Sequence, residues 1–185
     1  MGYSQLGAIS GPLSHKVSGF DLISAVRVDS GTPNKPSEIV VNVSDYTFVY
    51  CQWYLQNGDG STVQMEVSLN TTGTDSNHYY AHIYGSDSTE GIKATGSGNT
   101  IQLIQGTLPT DGWGSTGSFL YAKPLGTSEG HLIGFAGGDY GDTDNYMKPT
   151  LVSGMFDHLT QPMTVVRFAN ADDFDNFSAQ LWGIR

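Results

Sequence analysis

A short acidic segment offers the clearest set of candidate metal ligands in the chain. Residues 139–145 read Asp-Tyr-Gly-Asp-Thr-Asp-Asn, which places three carboxylates and an amide within seven residues. Ca²⁺ takes about six to eight oxygen ligands, and Asp139, Asp142 and Asp144 could supply several of them. The spacing is not that of an EF-hand, and the downstream Glu of that loop is missing. Calcium binding and a solvated acidic turn therefore remain alternatives.

Aromatic residues in glycine-rich surroundings are the second set of candidates. Trp113 lies in Asp-Gly-Trp-Gly-Ser, and Tyr140 and Tyr146 flank the acidic segment. An exposed aromatic ring can stack on the face of a sugar while neighbouring Asp, Asn or Gln side chains bind its hydroxyls. The alternative for Trp113 is that its ring folds back over the edge of the domain. The pattern predicts glycan or receptor contacts at these three residues, with Tyr140 and Tyr146 the weaker candidates.

Motifs for catalysis are missing from the sequence. There is no GxSxG, no P-loop, no GxGxxG between a strand and a helix, and no HExxH or Cys/His pairing for zinc. The single cysteine, Cys51, lies in an apolar run and is expected to be a buried structural thiol. No pair of carboxylates stands out for glycoside hydrolysis. We therefore expect a protein that is not an enzyme, with a polysaccharide-degrading enzyme as the least favoured alternative.

Charge and composition narrow the classes of partner. Eighteen acidic residues face eight basic ones, which gives a net charge of −10, and the bases are scattered. Without a basic patch, binding to nucleic acid or to an anionic membrane surface is disfavoured. No stretch approaches the roughly 20 apolar residues of a membrane span. The first 17 residues lack the features of a signal peptide, so folding in a cytosol is expected.

The elements that must position these residues are β-strands. Runs rich in apolar and aromatic residues, with a period close to two, are separated by Gly, Asn and Asp turns, which is typical of an all-β sandwich or barrel. The strand-like runs are residues 20–28, 46–55, 62–69, 78–84, 99–105, 118–123, 131–135, 150–156, 163–168 and 177–184. The turn at residues 57–60 predicts that the second and third runs form a hairpin. Residues 1–17 have no clear period and are predicted to be an irregular N-terminal arm, followed by one domain at residues 18–185.

The last strand-like run divides into two alternating sets of residues. Phe177 and Leu181 belong to one set and are predicted to enter the core, while Trp182 and Ile184 fall on the opposite face. The abundance of large aromatic residues and the scarcity of charges suggest that some apolar surface is covered by a partner. Trp182 and Ile184 are therefore predicted contacts with a neighbouring copy.

The C-terminal third resembles modules of tailed-bacteriophage virion proteins. Those modules often end in a strand of the form I-x-x-I-R-F, a short loop, and then F-x-x-G-x-x-x-L-Y-G-I. Here Val165-Val166-Arg167-Phe168 matches the first motif, and Leu181-Trp182-Gly183-Ile184 matches the second with Trp in place of Tyr. The resemblance covers roughly residues 20–185 and leaves the N-terminal arm unmatched.

The resemblance implies an antiparallel β-sandwich of jelly-roll type in a tail fibre, a baseplate appendage or a capsid-decorating protein. It implies a virion protein assembled in the host cytoplasm, self-associating with a trimer favoured, and contacting other virion proteins. It carries over no catalytic residue. The one cofactor considered, Ca²⁺, follows from the acidic segment at residues 139–145. The alternative function is a receptor- or glycan-binding adhesin module that contacts a host surface glycan through Trp113 and the acidic segment 139–145.

Overall fold

β-Strands make up the regular structure of the described part of this protein. The computed structural model describes residues 19–29, 31, 35–56, 65–68, 78–86, 89–98, 100–104, 114–122, 129–140, 146–147, 149–157, 164–169 and 174–185, and no helix occurs in these ranges. The strands are β1 (Asp21–Val28), β2 (Glu38–Asn42), β3 (Phe48–Gln56), β4 (Glu66–Ser68), β5 (His78–Ser86), β6 (Thr89–Gly98), β7 (Ile101–Gln102), β8 (Gly114–Ala122), β9 (Glu129–Tyr140), β10 (Tyr146–Met147), β11 (Thr150–Asp157), β12 (Val165–Ala169) and β13 (Asn176–Ile184).

The strands form two antiparallel sheets. The large sheet has the order β1-β13-β3-β8-β9-β11-β5-β6, with β10 paired to β9, and the small sheet has the order β2-β12-β4-β7. The first strand pairs with the last, Asp21 opposite Gly183, and the second pairs with the second to last, Glu38 opposite Ala169. Both sheets are thus built from segments that are distant in the chain.

The alternation along β13 sets its two faces as predicted. Phe177, Ala179, Leu181 and Gly183 are buried, whereas the residues between them are half-buried or exposed. Successive side chains of a strand point to opposite faces of the sheet, so one set enters the core. The predicted core positions of Phe177 and Leu181 are confirmed.

One hydrophobic core lies between the two sheets. Phe168 of the small sheet packs on Phe119 and Phe177 of the large sheet, with ring centroids 6.4 Å and 5.3 Å apart. All three side chains are almost completely buried, and burial of each stabilises the fold by roughly 1.5–3 kcal/mol. The arrangement is consistent with a β-sandwich.

The small sheet also covers part of the large sheet beyond β8, where β11 and β5 lie. Ile101 of β7 lies against Gly154 of β11, where an added Cβ would come within 2.7 Å of its side chain. His82 of β5 lies beneath β7, with its Nε2 atom 2.6 Å from the carbonyl oxygen of Gln102. His78 is buried on the same face of β5 and packs on Phe156. These contacts extend the core beyond the strands β1, β13, β3 and β8 to the strands β11 and β5.

The predicted hairpin is wrong. β3 pairs with β13 and β8 in the large sheet, whereas β4 pairs with β12 and β7 in the small sheet. A period of two identifies a strand but does not specify its neighbour, and here each segment pairs with strands from elsewhere in the chain. β2, β6 and β10 were not predicted, and the predicted N-terminal arm at residues 1–17 lies outside the described residues.

Candidate interaction surface

Strand register brings large side chains into a row across the outer face of the large sheet. Leu22, Trp182, Tyr50, Leu120 and Ile133 are successive partners on β1, β13, β3, β8 and β9. Directly opposed residues of antiparallel strands share a face, with Cβ atoms about 4.5–5.5 Å apart. The row therefore forms a continuous apolar band across five strands.

Two further rows run beside the first. In one, Phe135 of β9, Leu151 of β11 and Ile83 of β5 are in register, and their exposed fractions are 65%, 45% and 55%. The other links Ile184 and Phe48 to Met155 and Tyr79 through Ala122 and His131. We call the surface formed by these side chains the outer apolar face; its members are Leu22, Phe48, Tyr50, Tyr79, Ile83, Leu120, Ile133, Phe135, Leu151, Met155, Trp182 and Ile184.

The outer apolar face lacks formal charge. Among the described side chains, the outward positions of β13, β3, β8, β9, β11 and β5 include no Asp, Glu, Lys or Arg. On β1, Arg27 lies opposite Ser178 at the border of the face and pairs with Asp29. His131 is the basic side chain on this face. The polar residues that lie among the apolar ones are neutral, such as Gln52, whose side-chain amide donates a 2.9 Å hydrogen bond to the Tyr50 hydroxyl. A protein with a net charge of −10 thus carries one broad neutral surface.

The predicted contacts Trp182 and Ile184 belong to this face. Both are half-buried, and Trp182 stacks on Tyr50 with ring centroids 5.8 Å apart. They lie on β13, between the exposed Leu22 of β1 and the exposed Phe48 of β3. Contact of either residue with a neighbouring copy stays a prediction.

Sequence reasoning missed Ile83, Ile133, Phe135 and Leu151 as surface candidates. A signal was available in β9, because residues 132–136 read Leu-Ile-Gly-Phe-Ala. A strand with apolar residues in both alternating sets is typical of a strand covered on both faces. Leu132 faces the core between the sheets, and its neighbour Ile133 is 55% exposed.

The end of β9, the strand β10 and the start of β8, which contain or border the predicted sugar-contact residues in the sequence, lie at one end of the large sheet. Tyr140 is directly opposite Tyr146 in the β9–β10 pair. Gly138 of β9 pairs with Ser115 of β8, so the start of β8 lies at the same end. Trp113 itself, and the side chains of Tyr140 and Tyr146, lie outside what the structure describes. The backbone register brings the three segments together, and contact with a sugar stays a prediction.

The calcium prediction also falls outside the described side chains. Asp139 is described through its backbone, which pairs with Met147, and Asp142 and Asp144 are outside the described residues. Within the described part of the chain, no group of three or more His, Cys, Asp or Glu side chains is placed to hold a metal ion. That same part of the chain includes no helix suited to crossing a membrane.

The environment of Cys51 agrees with the sequence. The side chain is fully buried among the core residues of β3, and this burial raises the pKa of the thiol well above its ordinary value. A thiol that stays protonated is a poor nucleophile. The expected buried structural thiol is confirmed.

Comparison with known proteins gives no matching family model, no matching curated protein and no matching solved structure. The likeness to tailed-phage virion modules therefore rests on the sequence motifs quoted above.

Proposed function

We propose that this chain is a structural, non-enzymatic component of a bacteriophage virion, and that its sandwich is a jelly roll. The virion role rests on the sequence motifs, and the jelly roll rests on the nested pairing of the strands. In that nesting, β1 pairs with β13, β2 with β12, β3 with β8, and β4 with β7. In a jelly roll about eight strands in two sheets are wound so that the two ends of the chain lie side by side. The orders β1-β13-β3-β8 and β2-β12-β4-β7 fit that winding.

The remaining strands read as two insertions into this jelly roll. β5 and β6 fall between β4 and β7 in the chain, and β9, β10 and β11 fall between β8 and β12. Both insertions extend the large sheet from its β8 edge. They leave the nested pairing of the other eight strands intact, which supports a jelly roll with added strands over an unrelated sandwich.

Fold and sequence motifs point to the same class of protein. Jelly rolls build viral capsid and lectin domains, and fold alone does not decide between these tasks. The matches at Val165-Val166-Arg167-Phe168 and Leu181-Trp182-Gly183-Ile184 favour the virion. We propose a tail-fibre, baseplate or capsid-decorating protein that is a homo-oligomer, with a trimer favoured, and that binds other virion proteins.

The test is the location of the chain in purified particles. Mass spectrometry of density-purified phage should find the chain at a fixed copy number, and immunogold labelling should place it on the fibre, the baseplate or the head. A chain that is abundant in the lysate and missing from the particles would contradict the proposal.

Glycan or receptor binding is the second candidate function. It is favoured by the direct pairing of Tyr140 with Tyr146 beside the start of β8, since Trp113 immediately precedes Gly114. A glycan array with the wild type and with Trp113→Ala should show binding that the variant loses. Phe20→Ala, which replaces an exposed aromatic residue just before β1 and outside the outer apolar face, is the control and should keep binding. If Trp113→Ala leaves binding unchanged, the proposed contact is removed.

A further inference from the structure

We infer that the outer apolar face is the surface through which copies of this chain associate. The inference rests on the homo-oligomer of the proposed function and specifies which surface forms it. Because the face meets the same face of a second copy, the contact pairs two chains, and the inference does not rest on the trimer. Contiguous exposed apolar patches on monomeric proteins rarely exceed a few hundred Å². Here the patch includes Ile83, Ile133, Phe135 and Leu151, each about half exposed or more, next to one another on three adjacent strands.

The size of the face suits a stable contact between proteins. Its side chains come from seven adjacent strands, which at about 4.8 Å spacing span about 29 Å, and its three rows are about 7 Å apart along the strands. With the radii of the outermost side chains included, the projected area is roughly 600–700 Å². A standard interface buries about 800 Å² of accessible surface on each partner, and the accessible surface of a pleated face exceeds its projection. The face is therefore large enough by itself.

The charge distribution identifies a second copy as the occupant. The chain has a net charge of −10, so two copies repel each other through most of their surface. The outer apolar face lacks formal charges among its described side chains, and two copies can meet there without burying a carboxylate. Among the side chains described within its three rows, a cationic partner would find no carboxylate, and an anionic lipid or nucleic acid would find no Lys or Arg. A matching neutral face is available on every other copy.

Neutral polar groups on the face match the same partner. Gln52 and Gln180 are exposed and directly opposite each other on β3 and β13. Side-chain amides both donate and accept hydrogen bonds, so the same residues on a second copy can pair with them. Interfaces have such an arrangement of aromatic and aliphatic residues interspersed with neutral hydrogen-bonding groups.

The first experiment measures association of the full chain and of variants that place a charge on the face. Sedimentation equilibrium and light scattering should show a wild-type oligomer. Ile133→Glu and Phe135→Glu should weaken association at least about 10-fold, because like charges then face each other in a contact that excludes water. Val40→Glu is the matched control: Val40 is 51% exposed on β2 of the small sheet, outside the face, and its variant should associate as the wild type does.

A second measurement covers the case in which a Glu variant fails to fold. Ile133→Cys and Val40→Cys each add one accessible thiol, and Cys51 contributes no background because it is buried. With a maleimide reagent, the thiol at position 133 should be labelled at least about 10-fold more slowly in the oligomer than after dilution to monomer. The thiol at position 40 should be labelled at one rate in both states.

Three outcomes overturn the inference. The first is a wild type that stays monomeric at high concentration, and the second is an oligomer that both Glu variants leave intact. The third is a thiol at position 133 that is protected from labelling in a monomer only while residues 1–17 are present. The last outcome would assign the face to the chain's own N-terminal residues. Failure of this inference is distinguishable from failure of the proposed function. If the chain is found in virions and the thiol at position 133 is fully labelled, the interface is removed and the virion role is kept. If the chain forms an oligomer through this face and is missing from virions, the interface is kept and the virion role is removed.

Discussion

Trp182 lies directly opposite Tyr50 in the β13–β3 pair, and the two rings stack with centroids 5.8 Å apart and planes inclined by 28°. The contact joins β13, which is next to the edge strand β1, to β3. Both residues are half-buried on the outer apolar face. The pair thus stabilises the sheet and also forms part of its outer surface.

Replacement of Trp182 should lower stability through this pair. We expect Trp182→Ala to reduce the free energy of unfolding by about 1–3 kcal/mol, of which about 0.5–1.5 kcal/mol is the aromatic contact itself. A double-mutant cycle with Tyr50→Ala, measured by urea unfolding of the monomer, isolates that term. Strict additivity of the two substitutions would show that the rings do not interact.

The buried ion pair between Lys35 and Asp175 should matter more than an exposed one. Asp175 has 3% of its side chain exposed and contacts the Lys35 ammonium, while the nearby Phe174 amide donates a 3.0 Å hydrogen bond to the Pro36 carbonyl. We expect Asp175→Ala to cost about 3 kcal/mol, since it leaves a partly buried cation without this carboxylate.

The exposed pair of Arg27 and Asp29 provides the matched control. Both side chains are about 60% exposed, and Asp29→Ala should change the unfolding free energy by less than about 1 kcal/mol. Equal effects of the two substitutions in the same denaturation assay would contradict the assigned difference in burial.

Two glycines of β9 should respond in opposite directions. A Cβ added at Gly134 would lie 2.7 Å from the Ser118 carbonyl oxygen and 2.8 Å from Phe119 Cβ, whereas one added at Gly137 meets nothing within 4 Å. Gly134→Ala should therefore destabilise the protein by about 1–3 kcal/mol through overpacking. Gly137→Ala should be neutral or stabilising by up to about 1 kcal/mol, because it restricts the unfolded chain. Thermal unfolding of both variants makes the comparison, and a loss of stability at Gly137 would contradict it.

Stability should fall at alkaline pH because of two buried acids. Burial raises the pKa of the Cys51 thiol and of the Tyr121 hydroxyl above their ordinary values. In the unfolded chain these groups ionise above about pH 8.5 and about pH 10, while the folded protein keeps both protons. The unfolded state then binds fewer protons, so stability is fully present below about pH 8.5 and decreases as pH rises, by up to about 1.4 kcal/mol per pH unit for each group.

Unfolding midpoints measured from pH 7 to 11 check this dependence. Cys51→Ala should remove the slope that begins near pH 8.5, and Tyr121→Phe should remove the steeper part above about pH 10. An unchanged slope in both variants would assign the alkaline effect to other groups.

The parts of the fold that sequence predicted are those with a local signal. One alternating set of residues in β13 is entirely apolar and the other is mixed, so its two faces follow directly from the sequence. β6 reads Thr-Glu-Gly-Ile-Lys-Ala-Thr-Gly-Ser-Gly and has no such alternation; it is a strand because β5 lies alongside it. The hairpin prediction was wrong because turn chemistry at residues 57–60 says nothing about the sheet in which the following strand pairs.

The candidate site was predictable in part for the same reason. Trp182 and Ile184 were identified from parity within one strand. Ile83, Phe135 and Leu151 become neighbours through register between β5, β9 and β11, which is a nonlocal property. Single-strand patterns identify the side chains on each face, and the pairing of strands decides which of them adjoin.

The nested pairing of strands has a consequence for how this protein folds. β13 lies between β1 and β3, yet it is synthesised after every other described strand, about 150 residues later than β1. Until it arrives, the facing edges of β1 and β3 are open hydrogen-bonding templates, and such edges recruit strands from other chains. Folding dominated by such distant contacts is slow, on a scale of milliseconds to seconds for domains of high contact order. Newly made chains thus pass through an interval in which the facing edges of β1 and β3 are open to misassembly.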